Sequence, residues 1–482
     1  MKYAWLVIAV FASRFLTTAI TYPPGDGDLY WQRLLGLQVL RTHAVPRALG
    51  PEAFSAPYAP WVPQEWLFGI AAYFGRTGIG WDIFAGACAL APVVAIAIAC
   101  WHALRRGASE TAVAVGATCG GLAMLESFGV RAQVAVWPLL ALFMLALDED
   151  GPWAYAAIAV AAFWSNWHAS AMLAPIVAGM VAVGSALDER GFGKRTRRLA
   201  IIAAACLLAI CCNPFGWDLP RYAISLFDNP IKTYITEWKV TDIDDASFVQ
   251  GAWPLLLLAI AFGGRQSLLR PENDHRWRDL IVLGTFAFLL LSAARNVAVF
   301  AIVAIPIVTP ALSLWLRKKP EAELTKADRT AAWALPAGAF ALAVFVGIHL
   351  AQITPPATGL ANAPLAALAK MPGDHDVFCA DFAWCSLALG VPHERVFLDG
   401  RADPFPRPVW EDFIKILRLN HAWRGLLDSH GINTVVAQRY TPLDQAMALN
   451  PGWRLAYSDK DYTLYVRTTP VRTAASNVHS SD

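Results

Sequence analysis

The chain has 482 residues, 56% of them hydrophobic and 16% charged, with a net charge of +2. Soluble proteins carry about 25% charged residues, so this composition excludes an ordinary soluble domain and points to a chain built for lipid. The near-neutral balance gives no reason to invoke nucleic acid, and no nucleic-acid partner is expected.

Apolar runs recur at lengths of about 15 to 22 residues, enough to cross a bilayer. Eleven spans are predicted, near residues 4–22, 82–102, 110–126, 132–147, 153–165, 169–187, 199–213, 252–268, 279–293, 296–316 and 331–352. The chain carries twenty Trp, many at the ends of these runs, where indole rings favour the headgroup level. The first run has no small-x-small cleavage site before Thr21, so it reads as an uncleaved helix.

A large loop, residues 23–81, follows. It opens with Asp26-Gly27-Asp28-Leu29-Tyr30-Trp31-Gln32 and later carries Trp61-Val62-Pro63-Gln64-Glu65-Trp66. The apolar run Trp66–Phe74 is too short to cross and reads as an interfacial or re-entrant helix.

Lys and Arg in short loops set orientation. With a cytoplasmic N-terminus, the inner loops hold Arg105 and Arg106, then Arg190 to Arg198, Arg265 to Arg278, and Arg317 to Arg329, while the opposite loops have fewer, scattered basic residues. An odd number of spans then puts the C-terminal part outside. The polar motifs fall on that same face: the Asp26–Glu65 loop, Glu126 to Gln133, Ser165-Asn166-Trp167-His168, Asn213-Pro214, Glu237-Trp238 and Arg295-Asn296. Polar groups at membrane depth are costly and mark function.

Each candidate has a chemical and a structural reading. Asp26 and Asp28 suit a general base or a metal site. They also suit the turn that ends a helix, since Pro23-Pro24-Gly25-Asp26-Gly27-Asp28 is turn chemistry. Glu65 is a second acidic group or a carboxylate favoured by a helix dipole. Trp31 and Trp61 stand beside these carboxylates as candidate substrate-binding groups. His168, with Asn166, is either a hydrogen-bonded structural residue or, as imidazolium, a phosphate ligand. Arg131 and Arg295 offer planar forks to a phosphate, or snorkel or form internal ion pairs.

From about 354 onward charges return. Strands are predicted at 377–379, 395–398 and 434–437, and helices near 360–370, 409–419 and 421–430. The alternation suggests a small α/β domain with a mainly parallel sheet. The expected domains are 1–352 in the membrane, 353–468 outside and a disordered tail at 469–482. Asp399-Gly400-Arg401-Ala402-Asp403 closes a predicted strand, where parallel sheets bind ligands; a structural Asp–Arg turn is the alternative. Six cysteines lie in apolar runs and act as small hydrophobes. Cys379 and Cys385 stand apart and can pair if that part lies outside the cytosol.

These motifs carry a resemblance. Asp26 to Trp31, Gly36, Phe54-Ser55, Trp61-Val62 and Glu65-Trp66-Leu67 begin it. Arg131 and Gln133, Asn166-Trp167-His168, Asn213-Pro214-Phe215-Gly216, Glu237-Trp238, Arg295-Asn296 and Val396 to Arg401 continue it in order. Together they resemble, over nearly the whole chain, a family of bacterial multi-spanning membrane proteins similar to the GT-C glycosyltransferase superfamily. The resemblance implies transfer of a sugar from a polyprenyl-phosphate donor on the outer face, with inversion. A carboxylate in the first outer loop then serves as base or metal anchor, and Asp28, with Asp26 beside it, matches that place. A divalent cation, Mg or Mn, is a possible cofactor at Asp26 and Asp28. The chain departs from the family at Gln32 and Gln64, where relatives have His, which puts metal binding in question. It also has Pro51-Glu52-Ala53 before Phe54-Ser55, and Cys379 to Cys385 in place of a glycine-rich stretch.

The fold expected is thus an α-helical polytopic membrane protein of GT-C type, with about eleven spans and a C-terminal periplasmic α/β domain, in a bacterial inner membrane. The expected partners are a polyprenyl-phosphate-linked sugar, membrane lipids, and an envelope glycan, lipid or protein acceptor. Asp28 is the base, supported by Asp26 and Glu65. Arg131, Arg295 and His168 hold the phosphate, and Asp399 and Arg401 line an acceptor groove. The alternatives are a non-catalytic partner in envelope polysaccharide assembly and, more remotely, a transporter.

Overall fold

The computed structural model describes residues 2–21, 27–77, 80–226, 238, 240, 253–264, 275–316, 362–386, 388–390 and 393–468. The chain divides into two compact units. One comprises residues 1–22, 74–225 and 232–356; the other comprises 23–73, 226–231 and 357–482. This differs from a first domain running unbroken to residue 352, because the first loop clusters with the C-terminal part.

The first unit is helical. Helices occupy ten of the eleven predicted spans in whole or in part, from Lys2–Thr21 through Trp81–Arg105 to Val297–Leu316. The span at 331–352 lies outside the described residues. Among the described residues, three helices are long and apolar enough to cross a membrane: Trp81–Arg105, Ala169–Asp188 and Ala294–Leu316. Others, such as Glu110–Leu125 and Pro152–Trp164, are apolar but shorter. Residues 294–316 are the most enclosed of the three, 83% of their apolar window being buried. Gly116 and Gly120, four apart on one face of the Glu110–Glu126 helix, let it approach: a Cβ at Gly116 would sit 2.5 Å from Thr309 Cγ2, and one at Gly120 2.7 Å from Ile305 Cδ1.

At the end of this unit where the basic loops lie, the charges pair internally. His102 Nε2 and Asp148 Oδ2 are 2.6 Å apart, and Arg195 reaches Asp148 at 3.2 Å. Arg278 bonds both Asp148 and Asp279, and Arg106 bonds Asp279. The residues that set the orientation signal therefore also tie helix ends together.

The second unit carries a five-stranded sheet: β1 (His375–Cys379), β2 (Glu394–Val396), β3 (Thr434–Gln438), β4 (Trp453–Ser458) and β5 (Tyr462–Arg467). Its order is β2-β1-β3-β5-β4. The β2-β1-β3 half is parallel, as βα connections require, and β5 and β4 are antiparallel. The sheet is therefore mixed rather than mainly parallel, because β4 and β5 form a hairpin closed at Asp459-Lys460-Asp461, where Asp459 Oδ1 accepts the N–H groups of Asp461 and Tyr462 at 2.8 and 2.7 Å. Helices Asn362–Leu368, Arg407–Leu417 and Trp423–Ser429 stand near the predicted places. Cys379 and Cys385 form a disulfide with Cα atoms 5.7 Å apart.

The first loop completes the β2 edge. Ala53 bridges Val396 in parallel. The Val396 N–H donates to Glu52 O at 2.7 Å, and the Phe54 N–H donates to Val396 O at 3.2 Å. The Ser55 hydroxyl donates to Phe397 O. Residues 52–55 thus satisfy backbone groups that an exposed edge would leave open.

Candidate active site

Asp28 lies in the first turn of the Gly27–Thr42 helix, where unsatisfied N–H groups and the dipole favour a carboxylate. Trp31 follows three residues later on the same face. Its indole Nε1 donates to Asp28 Oδ1 at 3.0 Å. The Trp31 ring meets Trp61 edge-on, with centroids 5.9 Å apart. Above the Trp61 ring, at 5.3 Å from its centroid, sits the guanidinium of Arg401.

Arg401 is held on every side. Its Nη2 donates to Asp399 Oδ2 at 2.7 Å, its Nε to Asp399 Oδ1 at 3.0 Å, and its Nη1 to Glu52 Oε1 at 3.0 Å. The Arg401 backbone N–H also donates to Asp399 Oδ1, at 2.9 Å. Asp399 is 0% exposed and Arg401 6% exposed. Burial alone would lower the Arg401 pKa, but the carboxylates of Asp399 and Glu52 outweigh it and raise it above its ordinary value. Asp399, Gly400 and Arg401 therefore form a buried ion-paired turn beside Asp28, not the wall of an open groove. Glu52 belongs to this set and was not singled out from the sequence; its place two residues before Phe54-Ser55 was the available signal.

Glu65 sits just before the Trp66–Thr77 helix. Gln32 Nε2 donates to one of its oxygens, and Gln64 Nε2 donates to the other at 3.1 Å. Gln32 and Gln64 thus converge on one carboxylate. The two helices meet where Gly36 faces Gly69: a Cβ at Gly36 would lie 2.1 Å from Gly69 O.

The other candidates lie in the first unit, at the end opposite the His102–Asp279 ion pairs. Arg295 Nη2 donates to Gln133 Oε1 at 3.3 Å, and its guanidinium stacks 4.3 Å over the Trp238 ring. His168 occupies the turn between the Ala156–Trp164 helix and the Ala169–Asp188 span. Its Nδ1 accepts the Ser170 N–H at 3.0 Å, capping the turn. Burial, and then the charge of Arg295, lower its pKa to about 3. His168 thus caps this turn. Asn166 Nδ2 donates to Ala162 O at 2.9 Å and to Cys212 O at 2.7 Å, joining two helix ends. Arg131 is the N-cap residue of the Ala132–Ala135 turn.

Asp26 and Glu237 lie outside the described residues. Among the described residues no group of three or more His, Cys, Asp or Glu is placed to hold a metal ion. Of the expected pair of carboxylates, Asp28 alone is described.

The chain, with its helical unit and its smaller unit built on a mixed sheet, has a fold similar to that of two solved proteins. It is similar to the oligosaccharyltransferase AglB from Archaeoglobus fulgidus, solved with an inhibitory peptide and a dolichol-phosphate (TM-score 0.58, 12% identity, 91% of this chain and 69% of that chain). It is also similar to ArnT from Cupriavidus metallidurans bound to undecaprenyl phosphate (TM-score 0.50, 15% identity, 96% of this chain and 97% of that chain). The apo form of ArnT aligns at a TM-score of 0.51 and 15% identity, over 96% of each chain. No family model matches the sequence, and no curated protein matches it.

Proposed function

We propose that the chain is a membrane glycosyltransferase that moves a sugar from a polyprenyl-phosphate donor to an envelope acceptor on the outer face, with inversion. The observation that carries this reading is the Asp28 carboxylate, fixed at a helix start by the Trp31 indole on a GT-C fold. The lipid phosphates bound to ArnT and AglB support a donor of that class. The Cys379–Cys385 disulfide supports an outer location, since such bonds persist in oxidising compartments.

The chemistry divides by residue. Asp28 accepts the proton of the acceptor hydroxyl as its oxygen attacks the anomeric carbon. The bond from that carbon to the phosphate oxygen breaks, and the lipid phosphate leaves with the electron pair. Arg295, with Arg131, neutralises the departing phosphate. Asp399, Arg401 and Glu52 support the Trp61–Trp31–Asp28 chain of contacts. Glu65 braces the Gly27–Thr42 and Trp66–Thr77 helices through Gln32 and Gln64.

A second reading rests on those two glutamines. Neither side chain can be cationic, and both are spent on Glu65, which suits a protein that binds a lipid-linked sugar without turning it over. The deciding experiment uses purified protein in lipid with a panel of radiolabelled polyprenyl-phosphate sugars, comparing wild type with Asp28→Asn. Release or transfer of sugar by wild type, abolished in the variant, is the expected result. Equal donor binding by both proteins with no turnover overturns the transferase and leaves the binding component.

A further inference from the structure

Asp28 is enclosed by more than its helix. The carbonyl of Ala383, within the loop closed by the Cys379–Cys385 disulfide, lies 2.2 Å from where a Cβ on Gly27 would be. Gly400 completes the junction. A Cβ there would meet Ser386 Oγ at 2.9 Å, Asp28 Oδ1 at 3.0 Å and Ala383 O at 3.3 Å. The Gly400 N–H donates to Ser386 Oγ at 3.1 Å. Both glycines are therefore required by close approach, and neither has room for a side chain. The disulfide spans six positions, and Cys379 and Cys385 are both buried, so the turn between them has little freedom.

We infer that the disulfide-closed turn, with Ser386 and Gly400, is a positioning element for Asp28: it fixes where the carboxylate oxygen points, and opening the bridge releases it. This rests on the reading of Asp28 as the base. Cys379 and Cys385 flank no reacting atom in that reading; they act through Ala383 and Gly400. The arrangement makes the orientation of a residue near the chain's start depend on a covalent bond in its C-terminal part.

The test follows Asp28 directly. Full-length protein in lipid is labelled with a water-soluble carbodiimide and a nucleophilic amine across a pH series, and modification of Asp28 is read by mass spectrometry. Exposed Asp428 in the same unit serves as the internal standard. Oxidised wild type, wild type reduced with a phosphine, Cys379→Ser/Cys385→Ser and Gly400→Ala are compared. The expected result is a severalfold change in Asp28 labelling and a displaced pH midpoint in the last three, with Asp428 unmoved. Turnover, where present, falls in kcat with the donor KM unchanged. Reduction of Gly400→Ala should add little, since both act on one junction. Asp28 labelling that is identical in oxidised and reduced wild type overturns the inference, whatever happens in the variants. A labelling change in a protein that transfers no sugar keeps the positioning element and sinks the transferase. Sugar transfer abolished by Asp28→Asn, with labelling indifferent to reduction, does the reverse.

Discussion

The guanidinium of Arg401 lies 5.3 Å over the centre of the Trp61 ring while its nitrogens grip Asp399 and Glu52. The cation is thus solvated by two carboxylates and a π face instead of water. Asp399 is 0% exposed, so loss of Arg401 leaves a buried carboxylate without that partner.

Arg401→Met should therefore cost far more than a surface substitution. Removing one member of a buried pair strands the other, a penalty of about 3–5 kcal/mol. Thermal unfolding of the purified protein should show the loss. Replacing Asp399 and Arg401 together by apolar residues should cost less than the sum of the single changes. Equal stability of Arg401→Met and wild type would falsify the ion-paired turn.

Trp31→Phe separates packing from hydrogen bonding. Phe still meets the edge of Trp61, but the donor to Asp28 Oδ1 is gone. A hydrogen bond to a charged group is worth about 1.5–3 kcal/mol, so turnover should fall roughly tenfold or more while donor affinity holds. Labelled-donor binding and initial rates, measured side by side, check this. A variant that loses affinity and keeps its rate assigns Trp31 to the substrate instead.

The sequence made the helices legible because an apolar run of bilayer length has few other readings. Predicted spans such as 82–102 and 296–316 coincide with helices Trp81–Arg105 and Val297–Leu316. The parallel strands around Phe378 and Val435 were legible for a similar reason: buried β-branched and aromatic runs bounded by polar turns. What could not be read was pairing across distance. Glu52 and Arg401 are 349 positions apart and Ser55 and Phe397 are 342 apart, and nothing local in either stretch encodes the partner. The β4–β5 hairpin was missed although Asp459-Lys460-Asp461 marks its turn. His168 Nδ1 accepts the Ser170 N–H, which is the hydrogen-bonded structural role that was one of its two sequence readings.

Glu394 gives a pH dependence. It starts β2 with both carboxylate oxygens buried and without a hydrogen-bond partner, and burial pushes its pKa up to about 7. The folded state therefore binds a proton more tightly than the unfolded chain, whose Glu titrates near its ordinary value of 4.5. Stability is fully present below that value and is lost as pH rises to about 7. Glu394→Gln should match wild type at acid pH and exceed it in Tm at pH 8. Melting curves across this range decide the point. Parallel curves for the two proteins would remove Glu394 as the cause.

Arg295 tests the phosphate half of the reaction. Its guanidinium is oriented by the Trp238 face and by Gln133 Oε1, which leaves a planar fork directed by two neighbours. Lys carries the charge but neither stacks flat nor forms paired bonds. Arg295→Ala should weaken binding of an isolated polyprenyl phosphate by roughly tenfold to a hundredfold, as loss of a charge-assisted contact of about 1.4–3 kcal/mol requires. Arg295→Lys should recover only part of this, and added salt should narrow the gap between wild type and Arg295→Ala. Gln133→Ala should give a smaller loss in the same direction, because it frees the fork without removing the charge. Polyprenyl-phosphate affinity that is unchanged in Arg295→Ala would restrict Arg295 to packing against Trp238 and move the phosphate to Arg131.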